Sequence, residues 1–128
     1  MSWQAYVDTS LLSSGQIDAG AIFSVAGDAV WAASPDFRVT LEEVKTIVGA
    51  FRDSSSVQTN GFHVDGDKYM YVHHDDRSVM GRRHDYAVII WVKTKQALIV
   101  GRTPPGSHPQ AAEKVVEALA DYLISLGY

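Results

Sequence analysis

Apolar positions along the chain change their spacing several times, and each change marks an element. Trp3, Tyr6, Val7 and Leu11 recur at helical spacing behind Ser2, which is placed to cap a first helix that Gly15 ends. Ala21 to Val25 and Ala29 to Ala33 read as two short strands joined through Ala26-Gly27-Asp28, and Ser34-Pro35-Asp36 breaks the pattern. Thr40 and Glu43 have capping-box spacing, with Val39 placed to staple against Val44, so a second helix starts there. Its apolar face is Val44, Ile47, Val48 and Phe51, and the Asp53-Ser54-Ser55-Ser56 cluster predicts its stop.

From Gly61 the period falls to two. Asp65-Gly66 and Asp75-Asp76 mark tight turns, and Tyr69 to Val72 reads as a strand. Ala87 to Val92 and Ala97 to Val100 are apolar and partly β-branched, which suits central strands, with Lys93 to Gln96 as the hairpin between them. After the irregular Pro104-Pro105-Gly106, Ser107 and Gln110 again have capping-box spacing with Pro109 in the first turn. The last helix carries Ala112, Val115, Leu119, Tyr122, Leu123 and Leu126 in its stripe and stops at Gly127. Helix, two strands, helix, a run of strands and a final helix predict an α+β domain over residues 1–128, an antiparallel sheet with helices on its faces.

A length of 128 residues suits one core, and a chain without cysteine excludes thiol chemistry and cysteine-bound zinc. The longest apolar run, Ala87 to Val92, is too short to span a bilayer, and no basic region followed by an apolar stretch opens the chain. These features predict a soluble intracellular protein. A net charge of −4 argues against a general nucleic-acid binder. The charge is uneven: between Lys68 and Arg102 seven basic residues stand against three acidic ones, a segment of +4 in a remainder of −8. Either an anionic partner or a solvated sheet face accounts for it.

Enzymatic signatures are missing: the chain has no GxxxxGK[ST], GxGxxG or HExxH motif. His73-His74-Asp75-Asp76 is a poor metal site, because neighbours on a strand point to opposite faces. His84-Asp85 could form an acid–base pair but has no nucleophile placed beside it. No metal or cofactor is called for. The aromatic residues are more informative. Trp3 and Tyr6 lie on the first helix, Tyr122 on the last, and Tyr128 is the final residue. They are either core or, if the two terminal helices pack side by side near Trp31, a patch able to stack polyproline.

Ser2-Trp3-Gln4-Ala5-Tyr6-Val7-Asp8, Val30-Trp31-Ala32, Lys68-Tyr69-Met70, Asp75-Asp76-Arg77-Ser78, Val92 to Gly101, and Val115 to Leu123 with Gly127-Tyr128 together resemble the profilin family from end to end. The resemblance implies a three-layer fold, with a central antiparallel sheet, the terminal helices together on one side and the remaining helix on the other. It implies a non-enzymatic cytoplasmic protein of the cytoskeleton. Such a protein binds monomeric actin, promotes exchange of its nucleotide and delivers it to proline-rich partners such as formins.

By position, the implied proline-ligand platform is Trp3, Tyr6, Trp31, Tyr122, Leu123 and Tyr128. The implied actin face is Lys68, Val72, Arg82, Arg83, Tyr86 and Lys114, and phosphoinositide headgroups fall to Arg82 and Arg83. Gly81-Arg82-Arg83-His84-Asp85-Tyr86 departs from the Gly-Lys-Lys-Gly and small residues of many relatives, and arginine offers a planar fork where lysine offers a point charge. The competing classes are a trafficking or ligand-binding scaffold on the same plan, and an enzyme using His84-Asp85.

Overall fold

A computed structural model describes residues 2–128. Its elements are α1 (Trp3–Ala5), a π-helical turn (Tyr6–Leu11) and a 3-10 turn (Leu12–Ser14), β1 (Ala19–Ser24), β2 (Val30–Ala33), α2 (Leu41–Ala50), α3 (Ser55–Asn60), β3 (Phe62–Val64), β4 (Asp67–His74), β5 (Ser78–Arg82), β6 (Val88–Lys93), β7 (Ala97–Arg102) and α4 (Pro109–Ser125). The strands form one antiparallel sheet in the order β2-β1-β7-β6-β5-β4-β3. No helix among the described residues is long and apolar enough to cross a membrane.

The continuous apolar run of β6 is explained by burial on both faces. Ile90 and Val92 point into a core shared with Val7, Leu11, Val116, Leu119 and Leu123 of the two terminal helices. Ile89 and Trp91 point the other way, into a second core with Val44 and Ile47 of α2 and Val57 of α3. Each fully buried aliphatic side chain contributes about 1.5–3 kcal/mol. The terminal helices also need glycine beneath them. A Cβ on Gly101 would stand 2.9 Å from a Val116 methyl of α4, and one on Gly20 would stand 2.8 Å from Leu11 Cδ1.

The capping box of α2 is present in both directions, Glu43 N donating to Thr40 Oγ1 and Thr40 N to Glu43 Oε1. The Glu43 carboxylate also accepts from Asp65 N and Gly66 N, which ties α2 to the β3–β4 turn. Ser2 caps the first helix as its side chain implies, and Gly15 ends it at φ 76°. The sequence pattern does not disclose that the helix widens to a π turn, since residues four apart share a face in either geometry.

The second helix stops before the Asp53 to Ser56 cluster, at Ala50, but an element the pattern does not announce follows: α3 begins at Ser55, with one buried apolar residue, Val57, too few to show a period. Three expectations need correction. Ser107 does not cap α4. His108 occupies that place with no side-chain bond, because Ser107 N is turned back onto Pro104 O at Gly106. β1 starts at Ala19 and ends at Ser24, and Ala29 precedes β2. Leu126 lies in the apolar stripe of the last helix yet is exposed.

Candidate functional site

Residues from both chain ends meet on the face carrying the terminal helices. Gln4 Nε2 donates to Ala33 O at 2.9 Å, fastening the first helix to β2, the strand that carries Trp31. Trp3 and Trp31 then lie 4.6 Å apart between ring centroids, and Trp3 and Tyr6 5.7 Å. Tyr128 meets Trp3 edge-on at 5.0 Å, and Tyr6 meets Tyr122 at 6.0 Å. These spacings are those of favourable aromatic pairs, and they make a continuous row of rings. Tyr122 and Tyr128 are exposed, and Trp3 and Trp31 are half-buried. Tyr6 is mostly covered, and burial followed by the neighbouring Tyr122 and Tyr128 phenols pushes its hydroxyl above the ordinary tyrosine range.

Leu123 departs from the expected surface role. It is wholly buried in the core below the rings, because neighbours on a helix point about 100° apart and Tyr122 takes the outward direction. Leu123 supports the platform and offers no surface of its own.

The last residue is held by groups that the sequence reading missed. Tyr128 O accepts from Gln96 N at 2.6 Å and from Thr94 Oγ1 at 2.8 Å, Gln96 Nε2 donates to Gly127 O, and Tyr128 N donates to Leu123 O. Gly127 allows the turn with φ 96°. Only the identity of Thr94 and Gln96 as hairpin residues was visible in sequence, and their partners lie more than thirty positions away.

Such a surface has the chemistry to stack a proline run. Flat apolar ring faces stack on pyrrolidine rings, and a proline run has carbonyl acceptors but no N–H. Indole N–H and phenol O–H groups are the donors it lacks.

A second surface lies at the far edge of the sheet. Lys68, Met70, Arg82, Arg83 and Tyr86 line a cavity of about 400 Å³ that also takes in Asp67 and His84. Arg82, at the end of β5, sets its guanidinium 5.3 Å from the Tyr86 ring centroid. Arg83 is differently placed. It donates from Nε and Nη2 to both Asp85 oxygens at 2.9 and 2.8 Å, and from Nη1 to Asp67 at 2.9 Å. Hydrogen bonding to Arg83 holds the Asp85 carboxyl down to about 2, and the same pairing raises Arg83 further above its ordinary value. The two arginines therefore share a cavity but not a state. Arg83 is neutralised within the fold, and Arg82 is the charge that faces outward.

Val72 is exposed and has no strand partner, since the β4–β5 register slips between Tyr71 and His73. Tyr86 is exposed with φ 69°, a left-handed conformation that non-glycine residues rarely hold. A groove of about 240 Å³ joins Arg82 and Tyr86 to Gly106 and Pro109, at the start of α4. Lys114 is exposed further along α4, outside both cavities.

The histidines do not converge. Among the described residues no group of three or more His, Asp or Glu side chains is arranged to hold a metal ion. His74 shares a hydrogen bond with the Tyr71 hydroxyl, and His73 lies 3.9 Å from Glu113. The Asp85 carboxylate is occupied by Arg83 and by Ala87 N, and it makes no hydrogen bond to His84 among the described residues.

The family model described as Profilin matches residues 1–128. The profilin of Saccharomyces cerevisiae is 44% identical over 128 residues, all of both chains. The crystal structure of Acanthamoeba castellanii profilin II, 39% identical, superposes with a TM-score of 0.93 over 99% of this chain and 100% of that one. Mouse profilin IIa, solved in complex with a double repeat from the FH1 domain of mDia1, is 23% identical and shares the fold, with a TM-score of 0.84 over the whole of both chains.

Proposed function

Because the chain belongs to the profilin family, we propose that it binds monomeric actin and proline-rich segments at two separate surfaces. In this reading it promotes exchange of the actin nucleotide and delivers actin to proline-rich elongation factors such as formins, in the cytoplasm and at the cytoskeleton. The observation that carries the reading is the ring row of Trp3, Trp31, Tyr6, Tyr122 and Tyr128, drawn from both chain ends. A core would not leave Tyr122 and Tyr128 exposed beside two half-buried indoles.

The actin surface in this reading is the edge made by Lys68, Val72, Arg82, Tyr86 and Lys114, with Arg83 stiffening it from within. Exposed Met70, Val72 and Tyr86 among cationic side chains suit a protein partner with an apolar centre and an acidic rim. Phosphoinositide headgroups would compete there, chiefly through Arg82. The function is one of binding and involves no covalent step. Release of a fluorescent nucleotide from actin, measured with and without this protein, is the test: acceleration supports the reading, and an unchanged rate contradicts it.

A further inference from the structure

The cleft between the terminal helices continues past the last ring. Ser10 lies four residues beyond Tyr6, and Ala118 four residues before Tyr122, so both extend the edges of the ring row by about one helical turn. Together with Ser14, Val115, Leu119 and Tyr122 they line a groove of about 290 Å³. Tyr122 belongs to the row and to the groove, which makes them one surface. Leu119 is buried beneath, and no lining residue is charged. Ser14 Oγ is committed to Leu11 O and Gln16 N, whereas Ser10 Oγ has no hydrogen-bond partner among the described residues.

The length of the row sets what can reach this groove. From Tyr128 through Trp3 and Tyr6 to Tyr122 the centroid steps are 5.0, 5.7 and 6.0 Å. That path spans at most about 17 Å, and a polyproline II helix rises about 3.1 Å per residue, so the rings are filled by about five residues. A longer segment leaving the row at Tyr122 runs into the groove. Its neutral, partly apolar walls suit proline rings better than an acidic peptide or a lipid headgroup, and the free Ser10 hydroxyl can donate to a carbonyl that has no internal partner.

We propose that the Ser10–Ala118 groove is a second subsite for the same proline-rich ligand, holding the residues that follow those stacked on the rings. The proposal rests on the reading of the ring row as a proline platform. It makes affinity depend on ligand length through contacts that a short ligand never makes.

The test compares all-proline peptides of about six and about ten residues on wild type, Ala118→Arg and Trp3→Ala. Ala118 is exposed on α4, and arginine is a good helix former, so the variant fills the groove without disturbing the core. The expected result is a loss of roughly fivefold or more for the longer peptide in Ala118→Arg, with the shorter one unchanged. Amide resonances of Ser10, Ser14 and Ala118 in the wild type should also shift with the longer peptide only. If Ala118→Arg binds both peptides as wild type does, or loses both equally, the subsite is refuted. If Trp3→Ala also leaves binding intact, it is the platform reading itself that fails.

Discussion

Thr94 and Tyr128 are joined by a hydrogen bond of 2.8 Å from the hydroxyl to the final residue's carbonyl. Thr94 is buried in the β6–β7 turn, and the same hydroxyl accepts from Ala97 N. The β6–β7 hairpin thereby holds the residue whose ring meets Trp3 edge-on.

Thr94→Val keeps the shape of the side chain and removes this donor and acceptor. Stability should fall by about 1–3 kcal/mol as Ala97 N loses its partner. Oligoproline affinity should fall several-fold as Tyr128 drifts from Trp3, and Thr94→Ser should restore both. Thermal unfolding beside a peptide titration checks this, and full affinity in Thr94→Val would show that the clamp does not position the ring.

Tyr86 holds a left-handed backbone with its ring in solvent beside Arg82. Relief of that conformation is worth about 1–2 kcal/mol, against about 0.5–1 kcal/mol for the freedom glycine adds to the unfolded chain. Tyr86→Gly should therefore raise stability by up to about 1.5 kcal/mol, whereas Tyr86→Ala keeps the strain and gains nothing. Actin binding should weaken in both. An affinity unchanged in both variants would remove Tyr86 from the interface.

The two arginines should separate cleanly. Arg82→Ala should leave stability within about 0.5 kcal/mol of wild type and reduce binding to phosphoinositide vesicles at low salt. Arg83→Ala strips a cation from Asp67 and Asp85 and should cost about 1–3 kcal/mol, less than a fully buried pair would, since both carboxylates remain partly in solvent. Denaturant melts and vesicle co-sedimentation read the two effects. Equal loss of vesicle binding with no loss of stability in Arg83→Ala would contradict the pairing.

That pairing also sets an acid limb. In the unfolded chain an aspartate titrates near about 3.9, while Asp85 in the fold lies at about 2. A depressed carboxyl contributes stability above its unfolded value and loses it as pH falls through the folded one, so the loss belongs between about pH 4 and pH 2. Asp85→Asn should be less stable at neutral pH and show a shallower slope across that window. Denaturant midpoints measured at intervals through it decide the matter, and parallel slopes would exclude Asp85 as a source.

Much of this architecture could be read from local pattern. The Thr40–Glu43 box, the Gly15 stop and the unbroken apolar run of β6 are each set by residues a few positions apart, and each is found in the fold. The proximity of Trp3 to Tyr128 follows only if the terminal helices pack together, a packing that local pattern leaves open and the family resemblance specifies. What stayed hidden depends on distant partners. Arg83 reads as a free cation until Asp67 is folded against it, and Thr94 reads as a turn residue until Tyr128 arrives. Leu123 and Tyr122 share one stripe, and only packing decides which of them turns inward. α3 has too few apolar residues to announce itself.

The most direct measurement follows tryptophan fluorescence as an oligoproline of about ten residues is added to wild type and to Trp3→Ala. Trp3 and Trp31 are both part of the ring row, so stacking should give the wild type a saturable change with little dependence on salt. Trp3→Ala should lose binding by at least about tenfold while keeping its cooperative thermal unfolding. Wild-type affinity in a folded Trp3→Ala would contradict the assignment of the ring row as the proline site.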